Sequence, residues 1–198
     1  MLESVLATME SFGVERRGEP IICIGGGVLM DAVAMACSLY RRGVPFIKVP
    51  TTLLGIVDAS IGIKTSVNHF GRRNRLGSYF FPKSVLVDPS HLCTLDENQI
   101  SYGLAEVIKL AIIKDKSLFE SMKEHSSYLL DAEFYRSGFG LEIIKQAMAG
   151  MIKELAPNPY ETDLQRVVDF GHTFSPVPEM KSLVDSSVAS LAHGQAVA

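Results

Sequence analysis

Short apolar runs closed by glycine or proline alternate with an amphipathic stretch in the first half of the chain. Runs of this length and composition are typical of buried parallel strands, and the stretch between the first two predicts a helix. A strand–helix–strand order implies a right-handed crossover and a parallel sheet. The predicted strands are Ile21 to Ile24, Phe46 to Val49 and Val85 to Val87, and the predicted helices are Leu2 to Phe12 and Val28 to Tyr40.

Strand signals stop near Glu97, and helical periodicity takes over. The organisation predicted is therefore an α/β part in residues 1–92 followed by an all-helical part in residues 93–198. The chain opens directly on a helical pattern and stops inside a predicted helix that begins near His193, so we expect a chain truncated at both ends. The later predicted helices are Glu97 to Ile113, Lys116 to Glu124, Leu141 to Leu155 and Val168 to Ser175.

The segment from Pro50 to Gly77 combines apolar residues and four glycines with many polar side chains. Acids, ammonium groups and amides are costly to bury unless they are paired. The segment is therefore either a surface loop or the floor of a site, and its content of Ile, Val and Leu favours a site. Its polar members include Thr51, Thr52, Asp58, Lys64, Thr65, Asn68, Asn74 and Arg75.

Three consecutive glycines, Gly25 to Gly27, lie between the first predicted strand and its helix. Their backbone amides could approach an anion, and the helix N-terminus adds partial positive charge. The pattern is not GxGxxG, so a tight strand-to-helix turn explains it equally well. Asp31, in the first turn of the helix, either complements the helix dipole or contacts a ligand.

Two groups of arginines flank the same region. Arg41 and Arg42 end the predicted helix, where cations interact favourably with the dipole. Arg72, Arg73 and Arg75 surround Asn74, an arrangement that suits a phosphorylated substrate but also a solvated turn.

Glu106 and Lys109 lie three residues apart on a predicted helix with little polar surface for solvent. They form either a surface ion pair or part of a site. His172 and His193 each adjoin a glycine, and a single histidine is more often structural than a ligand. One glutamate and two histidines nevertheless match a common catalytic zinc set, although their separations carry no spacing signature.

Composition narrows the class of protein. The chain has 198 residues, a formal charge of −3 and 47% hydrophobic residues, which suits one globular domain or parts of two. The near-neutral charge gives no reason to expect a nucleic acid partner, and no apolar run reaches the roughly 20 residues of a membrane span. The odd number of cysteines without metal-type spacing predicts buried free thiols and a cytoplasmic location.

Taken together, several blocks resemble the sugar phosphate cyclase superfamily, which is typified by 3-dehydroquinate synthase. The blocks run in order from about residue 21 to the end. This resemblance implies a partial Rossmann-like NAD domain, then an all-helical metal-binding domain, with the active site between them and a homodimer in the complete enzyme. The blocks are GGGVLMD, YRRGVPFIKVPTTLLGIVDASIGIKTSVN, RNRLG, LCTL, GLAEVIK, DFGHTFS and HGQAVA.

The resemblance also implies site residues. NAD would contact Gly26, Gly27, Asp31, Thr51, Thr52, Asp58, Lys64, Thr94 and Leu95. A divalent metal, usually zinc, would be held by Glu106, His172 and His193. The catalytic and substrate-binding residues would be Arg42, Asp58, Lys64, Asn74 and Lys109.

Within the superfamily, Leu155 and Asp169 distinguish the branches. Dehydroquinate synthases have a lysine where Leu155 stands, and their substrate carries a carboxylate. The Leu155/Asp169 pair with PNPYE between them resembles 2-epi-5-epi-valiolone synthase, which cyclises sedoheptulose 7-phosphate. A neutral polyol needs a hydrogen-bond acceptor such as Asp169 rather than a cation.

Departures from the family pattern leave alternatives open. The first βα units, which bind the adenosine end of NAD, have no counterpart ahead of Met1, and the helices beyond His193 are absent. Arg73 replaces a lysine common in dehydroquinate synthases. Desmethyl-4-deoxygadusol synthase, 3-dehydroquinate synthase and an inactive fragment are the alternatives, and iron-dependent alcohol dehydrogenases are a more distant one.

Overall fold

The computed structural model describes residues 1–175, 177–178 and 181–182. In this part of the chain, an α/β layer comes first and helices follow. The α-helices are α1 Leu2–Ser11, α2 Gly27–Leu39, α3 Glu97–Lys114, α4 Lys116–Glu124 and α5 Gly138–Leu155. The strands are β1 Ile21–Gly25, β2 Phe46–Pro50, β3 Lys64–His69, β4 Arg72–Tyr79 and β5 Ser84–Val85.

The main sheet is parallel and has the strand order β1-β2-β5. In the register, Gly25 lies opposite Pro50 and Lys48 lies opposite Val85. The first two predicted strands are confirmed, each extended by one residue. The third is confirmed only in part, because β5 ends at Val85 and not at Val87. Because the strands are parallel, their carboxyl ends share one edge, and the segments that follow β1, β2 and β5 all begin there.

The segment after β2 has structure that the sequence analysis did not specify. A π-helix, Gly55–Ala59, begins five residues after the end of β2 and is largely buried. An antiparallel hairpin, β3–β4, comes next, with an irregular register between Val67 and His69. The segment from Pro50 to Gly77 therefore matches neither predicted alternative, a surface loop or the floor of a site, along its whole length. Its first half is buried and its second half is an exposed hairpin.

Each long helix of the second half begins at a side-chain cap. Asp96 and Gln99 form a reciprocal capping box at the start of α3, and Asp115 and Ser137 cap α4 and α5. Such caps satisfy backbone N–H groups that have no partner within the helix. The corresponding helix predictions are confirmed, and α5 begins three residues earlier than predicted.

One helix prediction is wrong. Val168 to Ser175 is not an α-helix, since only the 3₁₀ turn Val167–Asp169 forms there and further turns follow it. Gly171 has φ +85°, which a right-handed helix does not allow. The predicted helix near His193 lies outside the described residues.

Two clusters of buried apolar side chains fill the described part of the chain. The sheet core packs α1 and α2 on β1 and β2 and includes Met30 and Phe46. The helical core gathers α3, α4 and α5, and it also takes in Leu53, Ile56 and Val57 from the segment that follows β2. That segment therefore joins the sheet edge to the helical part.

The cysteine prediction is correct for two residues and wrong for the third. Cys23 and Cys37 are free and buried, whereas Cys93 is free and exposed. Cys93 lies on the 3₁₀ helix Pro89–Thr94, in which Leu92 faces the core and Cys93 faces solvent. Among the described residues, no helix has the length and apolar character that crossing a membrane requires.

Candidate functional site

The glycine turn lies at the carboxyl edge of the sheet. Gly26 is the N-cap of α2. A Cβ added at Gly26 would lie 3.2 Å from Thr52 Cγ2, and one added at Gly27 would lie 3.3 Å from the Ala59 Cβ. The turn therefore needs glycine for close packing, and it also presents a helix N-terminus that suits an anion.

Hydrogen bonds fix the segment after β2 against this turn. The Thr51 backbone N–H donates to the Gly25 carbonyl at 3.0 Å, and the Gly55 N–H donates to Thr52 Oγ1 at 3.0 Å. Asp58 follows within the π-helix. The structure thus brings five predicted NAD-contacting residues to one edge of the sheet: Gly26, Gly27, Thr51, Thr52 and Asp58.

Asp31 and Lys48 carry opposite charges that influence each other beneath this edge. Burial raises the pKa of Asp31 to about 6, and the positive charge of Lys48 opposes that increase. Lys48 is 1% exposed, and burial lowers the pKa of its ammonium group. Sequence analysis missed Lys48 because it stands inside an apolar run; a lone lysine in a predicted buried strand was the available signal.

A chain of four alternating charges links the hairpin to the last described turns. Lys64 Nζ lies 2.8 Å from Glu161 Oε1, and the Arg166 guanidinium also pairs with Glu161. Arg166 then donates to both carboxylate oxygens of Asp169, from Nε at 2.9 Å and Nη2 at 2.5 Å. The structure therefore brings Lys64 and Asp169 into one network, although they are far apart in sequence.

This network borders a cavity of about 160 Å³ whose lining includes Lys64, Leu155, Glu161 and Arg166. Sequence analysis did not assign Glu161 or Arg166. Glu161 has φ +52°, a left-handed conformation that is uncommon for glutamate. Its position at the end of PNPYE was the signal available in the sequence.

Glu106 and Lys109 are both buried on α3, at 1% and 6% exposure, and they form an ion pair. The surface-pair alternative is therefore wrong. The 3₁₀ turn that precedes His172 packs on α3, and His172 is partly buried with its Nδ1 shielded from solvent. A buried carboxylate and an imidazole are the donor types that zinc prefers.

Glu106 and His172 are two of the three predicted zinc ligands. Among residues 1–175, 177–178 and 181–182, no group of three His, Cys, Asp or Glu side chains is placed to hold a metal. The third predicted ligand, His193, lies outside the described residues. The metal set of Glu106, His172 and His193 stays a prediction.

Four of the predicted site residues lie in none of the groups described above. Arg42 lies beyond the C-terminus of α2, about 20 Å along the helix from the glycine turn. Asn74 is exposed in the hairpin at φ +49°, where its N–H donates to Asn68 Oδ1. Thr94 and Leu95 end the 3₁₀ helix after β5. Their assigned roles stay predictions.

The family assignment follows from two matches that together span the chain. Residues 1–102 match the 3-dehydroquinate synthase N-terminal family model, and residues 103–198 match the 3-dehydroquinate synthase C-terminal model. The chain therefore belongs to the 3-dehydroquinate synthase family and has its fold.

Individual relatives allow a finer comparison than the family models. The chain is 48% identical over 98% of its length to a 2-epi-5-epi-valiolone synthase from Streptomyces albus, of which it covers 47%. It is 37% identical to a demethyl-4-deoxygadusol synthase from Trichormus variabilis, covering 98% of this chain and 48% of that protein. The chain thus spans about half the length of the curated relatives it matches.

A solved structure agrees with these relatives. The structure of 2-epi-5-epi-valiolone synthase from Streptomyces hygroscopicus subsp. jinggangensis 5008, with NAD⁺ and Zn²⁺ bound, matches at a TM-score of 0.93 and 44% identity. The match covers 99% of this chain and 53% of that one. A 2-deoxy-scyllo-inosose synthase at 24% identity and a TM-score of 0.82 shows the shared fold alone.

Proposed function

We propose that the intact protein is a sugar phosphate cyclase that converts sedoheptulose 7-phosphate to 2-epi-5-epi-valiolone and releases phosphate, with NAD and a divalent metal, usually zinc, as cofactors. The observation that carries the proposal is the cavity beside the Lys64–Glu161–Arg166–Asp169 charge network, with Leu155 in its wall. The 2-epi-5-epi-valiolone synthases named above support the same activity.

The cofactors would bind on two sides of the cavity. NAD would use the glycine turn and the segment after β2, and the metal would be held by Glu106, His172 and His193. When bound, NAD would supply reversible hydride transfer and the metal would polarise a substrate hydroxyl. The chain's own residues would bind and orient the sugar and its phosphate.

Charges in the chain have separate roles in this scheme. Lys109 would balance the buried charge of Glu106 and lie near the reacting hydroxyl. Lys64 and Asp58 would fix the orientation of the sugar, with Asn74 and Arg42 contributing to substrate binding. Each of these groups stabilises charge only if the folded chain holds it in place before the substrate arrives.

Leu155 and Asp169 would select the substrate. An ionised carboxylate has about four lone-pair positions, and the bidentate contact with Arg166 uses two of them. Asp169 can therefore still accept hydrogen bonds from sugar hydroxyls. A carboxylated substrate would be disfavoured, because Leu155 offers it no positive charge and the Lys64 and Arg166 cations are already paired with Glu161 and Asp169.

Product analysis tests this proposal. The intact protein, loaded with NAD and zinc, should convert sedoheptulose 7-phosphate to 2-epi-5-epi-valiolone and leave the carboxylated heptulosonate phosphate unreacted. Asp169→Asn should lower kcat/KM on the order of ten- to a hundredfold, because it removes the negative charge and one of the two acceptor oxygens. Asp163→Asn, at an exposed position, is the matched control and should keep its activity. Cyclisation of only the carboxylated substrate would favour 3-dehydroquinate synthase instead.

A demethyl-4-deoxygadusol synthase activity is the second candidate, because one such enzyme is 37% identical to the chain. The same product analysis separates the two activities. An inactive protein would give no product and no heat on calorimetric titration with NAD.

Three further statements belong to this proposal. The division into an NAD-binding part, residues 1–92, and a metal- and substrate-binding part, residues 93–198, would place the cavity between them. The intact enzyme would be a homodimer, which light scattering tests. Its location would be cytoplasmic, as the free cysteines favour.

A further inference from the structure

Lys48 is a buried cation in the middle strand of the parallel sheet. It alternates along β2 with partly exposed residues and shares its buried face with Phe46 and Pro50. Its side chain is 1% exposed and is among the largest fully buried side chains in the described residues. A buried ammonium group is costly unless its N–H groups are bonded.

The Lys48 ammonium group donates two hydrogen bonds, and both go to one turn of the backbone. Lys48 Nζ donates to the Ala59 carbonyl at 2.9 Å and to the Gly62 carbonyl at 2.9 Å. Ala59 is the last residue of the π-helix, whose carbonyl end attracts a cation. One ammonium group therefore holds both ends of the four-residue turn 59–62.

That turn separates two residues of the proposed site. Asp58 immediately precedes it, and Lys64 begins β3 two residues after it. Lys64 in turn pairs with Glu161 at the cavity. The position of Asp58 relative to Lys64 thus depends on the conformation that the Lys48 side chain fixes.

We propose that Lys48 is a positioning residue of the proposed cyclase, whose buried ammonium group sets the placement of Asp58 and Lys64 by holding the carbonyls of Ala59 and Gly62. This inference rests on the proposed function. Lys48 touches neither substrate nor cofactor in this scheme and acts through the turn.

A purely structural lysine would have different consequences. Its loss would lower the folded fraction, but the remaining folded enzyme would keep its kcat and its affinity for NAD. A positioning residue changes both constants in protein that is folded and loaded with zinc. Kinetic constants per folded, zinc-loaded molecule therefore separate the two roles.

The test compares three substitutions in the intact protein. Lys48→Met keeps the length of the side chain but removes both hydrogen bonds. Lys48→Arg keeps the charge and can donate to both carbonyls, and Lys48→Gln keeps a single donor group. Lys114→Met, which removes an exposed lysine from a surface ion pair with Glu154, is the matched control.

For each variant, zinc content, thermal midpoint, NAD affinity by calorimetry, and kcat and KM for sedoheptulose 7-phosphate are measured. We expect Lys48→Met to lower kcat on the order of tenfold or more and to weaken NAD binding several-fold, with zinc content unchanged. Lys48→Arg should recover most of the loss, Lys48→Gln less, and Lys114→Met should match the parent.

Each of the following results would overturn the inference about Lys48, the proposed function, or both. Folded Lys48→Met with kcat and NAD affinity within twofold of the parent overturns the inference. If Lys48→Met does not fold, equal activity of the Arg and Gln variants overturns it. A parent protein that binds NAD but does not cyclise the sugar contradicts the proposed function alone. In that case, the NAD affinity of the Lys48 variants relative to the parent tests the inference about Lys48. A parent that does not bind NAD overturns both.

Discussion

Asp31 should make the stability of the protein depend on pH. Its folded-state pKa of about 6 lies above the ordinary value of 3.8, chiefly because burial disfavours the charged form. A raised carboxyl pKa means that the folded state holds the proton more tightly, so stability falls as pH rises between these two values.

The Asp31→Asn variant tests this effect. We expect it to match the parent below about pH 3.8 and to be more stable above pH 6, by up to about 3 kcal/mol. Urea unfolding of both proteins from pH 3.5 to pH 8 measures the difference. A difference that stays constant with pH would show that the Asp31 carboxyl is not responsible.

Glu161 adopts a left-handed conformation that glycine adopts without strain. Glu161→Gly removes that strain but also takes a carboxylate away from the Lys64 and Arg166 cations. Its thermal midpoint should therefore fall less than that of Glu161→Ala, while cyclase activity falls more than tenfold in both variants. Thermal unfolding and kcat/KM are measured on the same samples. A thermal midpoint of Glu161→Gly at or below that of Glu161→Ala would contradict this expectation.

Helix α3 depends on close contact with the segment after β2. A Cβ added at Gly103 would lie 2.5 Å from Leu53 side-chain atoms and 2.7 Å from the Leu54 backbone nitrogen. Because backbone cannot move aside easily, Gly103→Ala should destabilise the protein by about 2 kcal/mol or more. Gly138→Ala, with no atom within 4 Å of the added Cβ, is the control and should be neutral in the same urea unfolding measurement.

Elements bounded by strong local signals were predictable from the sequence. β1, α2 and β2 lie between prolines and glycines and bury continuous apolar runs, so their positions follow from local pattern. The hairpin β3–β4 was missed because its side chains are mostly polar and exposed, and its turn relies on the left-handed residues Phe70 and Gly71. The helical periodicity of Val168 to Ser175 gave the wrong element because Gly171 interrupts it.

The candidate site residues also divide into those that local sequence predicts and those that only the fold brings together. The glycine turn and the buried Glu106 could be predicted, because local sequence marks them. The charge network around Glu161 could not, because it joins residues about a hundred positions apart and depends on one left-handed backbone conformation. Lys48 was not predicted, because one lysine does not change the hydropathy pattern by which a buried strand is recognised.

At the scale of the molecule, the described part of the chain has two cores that meet through one segment. Leu53, Ile56 and Val57 belong to the helical core, yet they follow β2 of the sheet and precede the turn held by Lys48. The edge of the sheet at which NAD is proposed to bind is therefore joined to the helical core by one continuous segment of chain. The metal site, in contrast, is predicted to lie within the helical part alone.

Metal removal should therefore loosen one region rather than the whole protein. A metal at 100 times its Kd stabilises the folded state by about 2.7 kcal/mol, and chelation should remove that stabilisation. Hydrogen exchange in the intact protein should then increase in α3 near Glu106 and in residues 167–169, which pack on it, while β1 and β2 stay protected. The Glu106→Gln variant, which lacks one predicted ligand, should exchange alike with and without chelator. Equal loosening of β1 and β2, or no change on chelation, would place the metal elsewhere or exclude it.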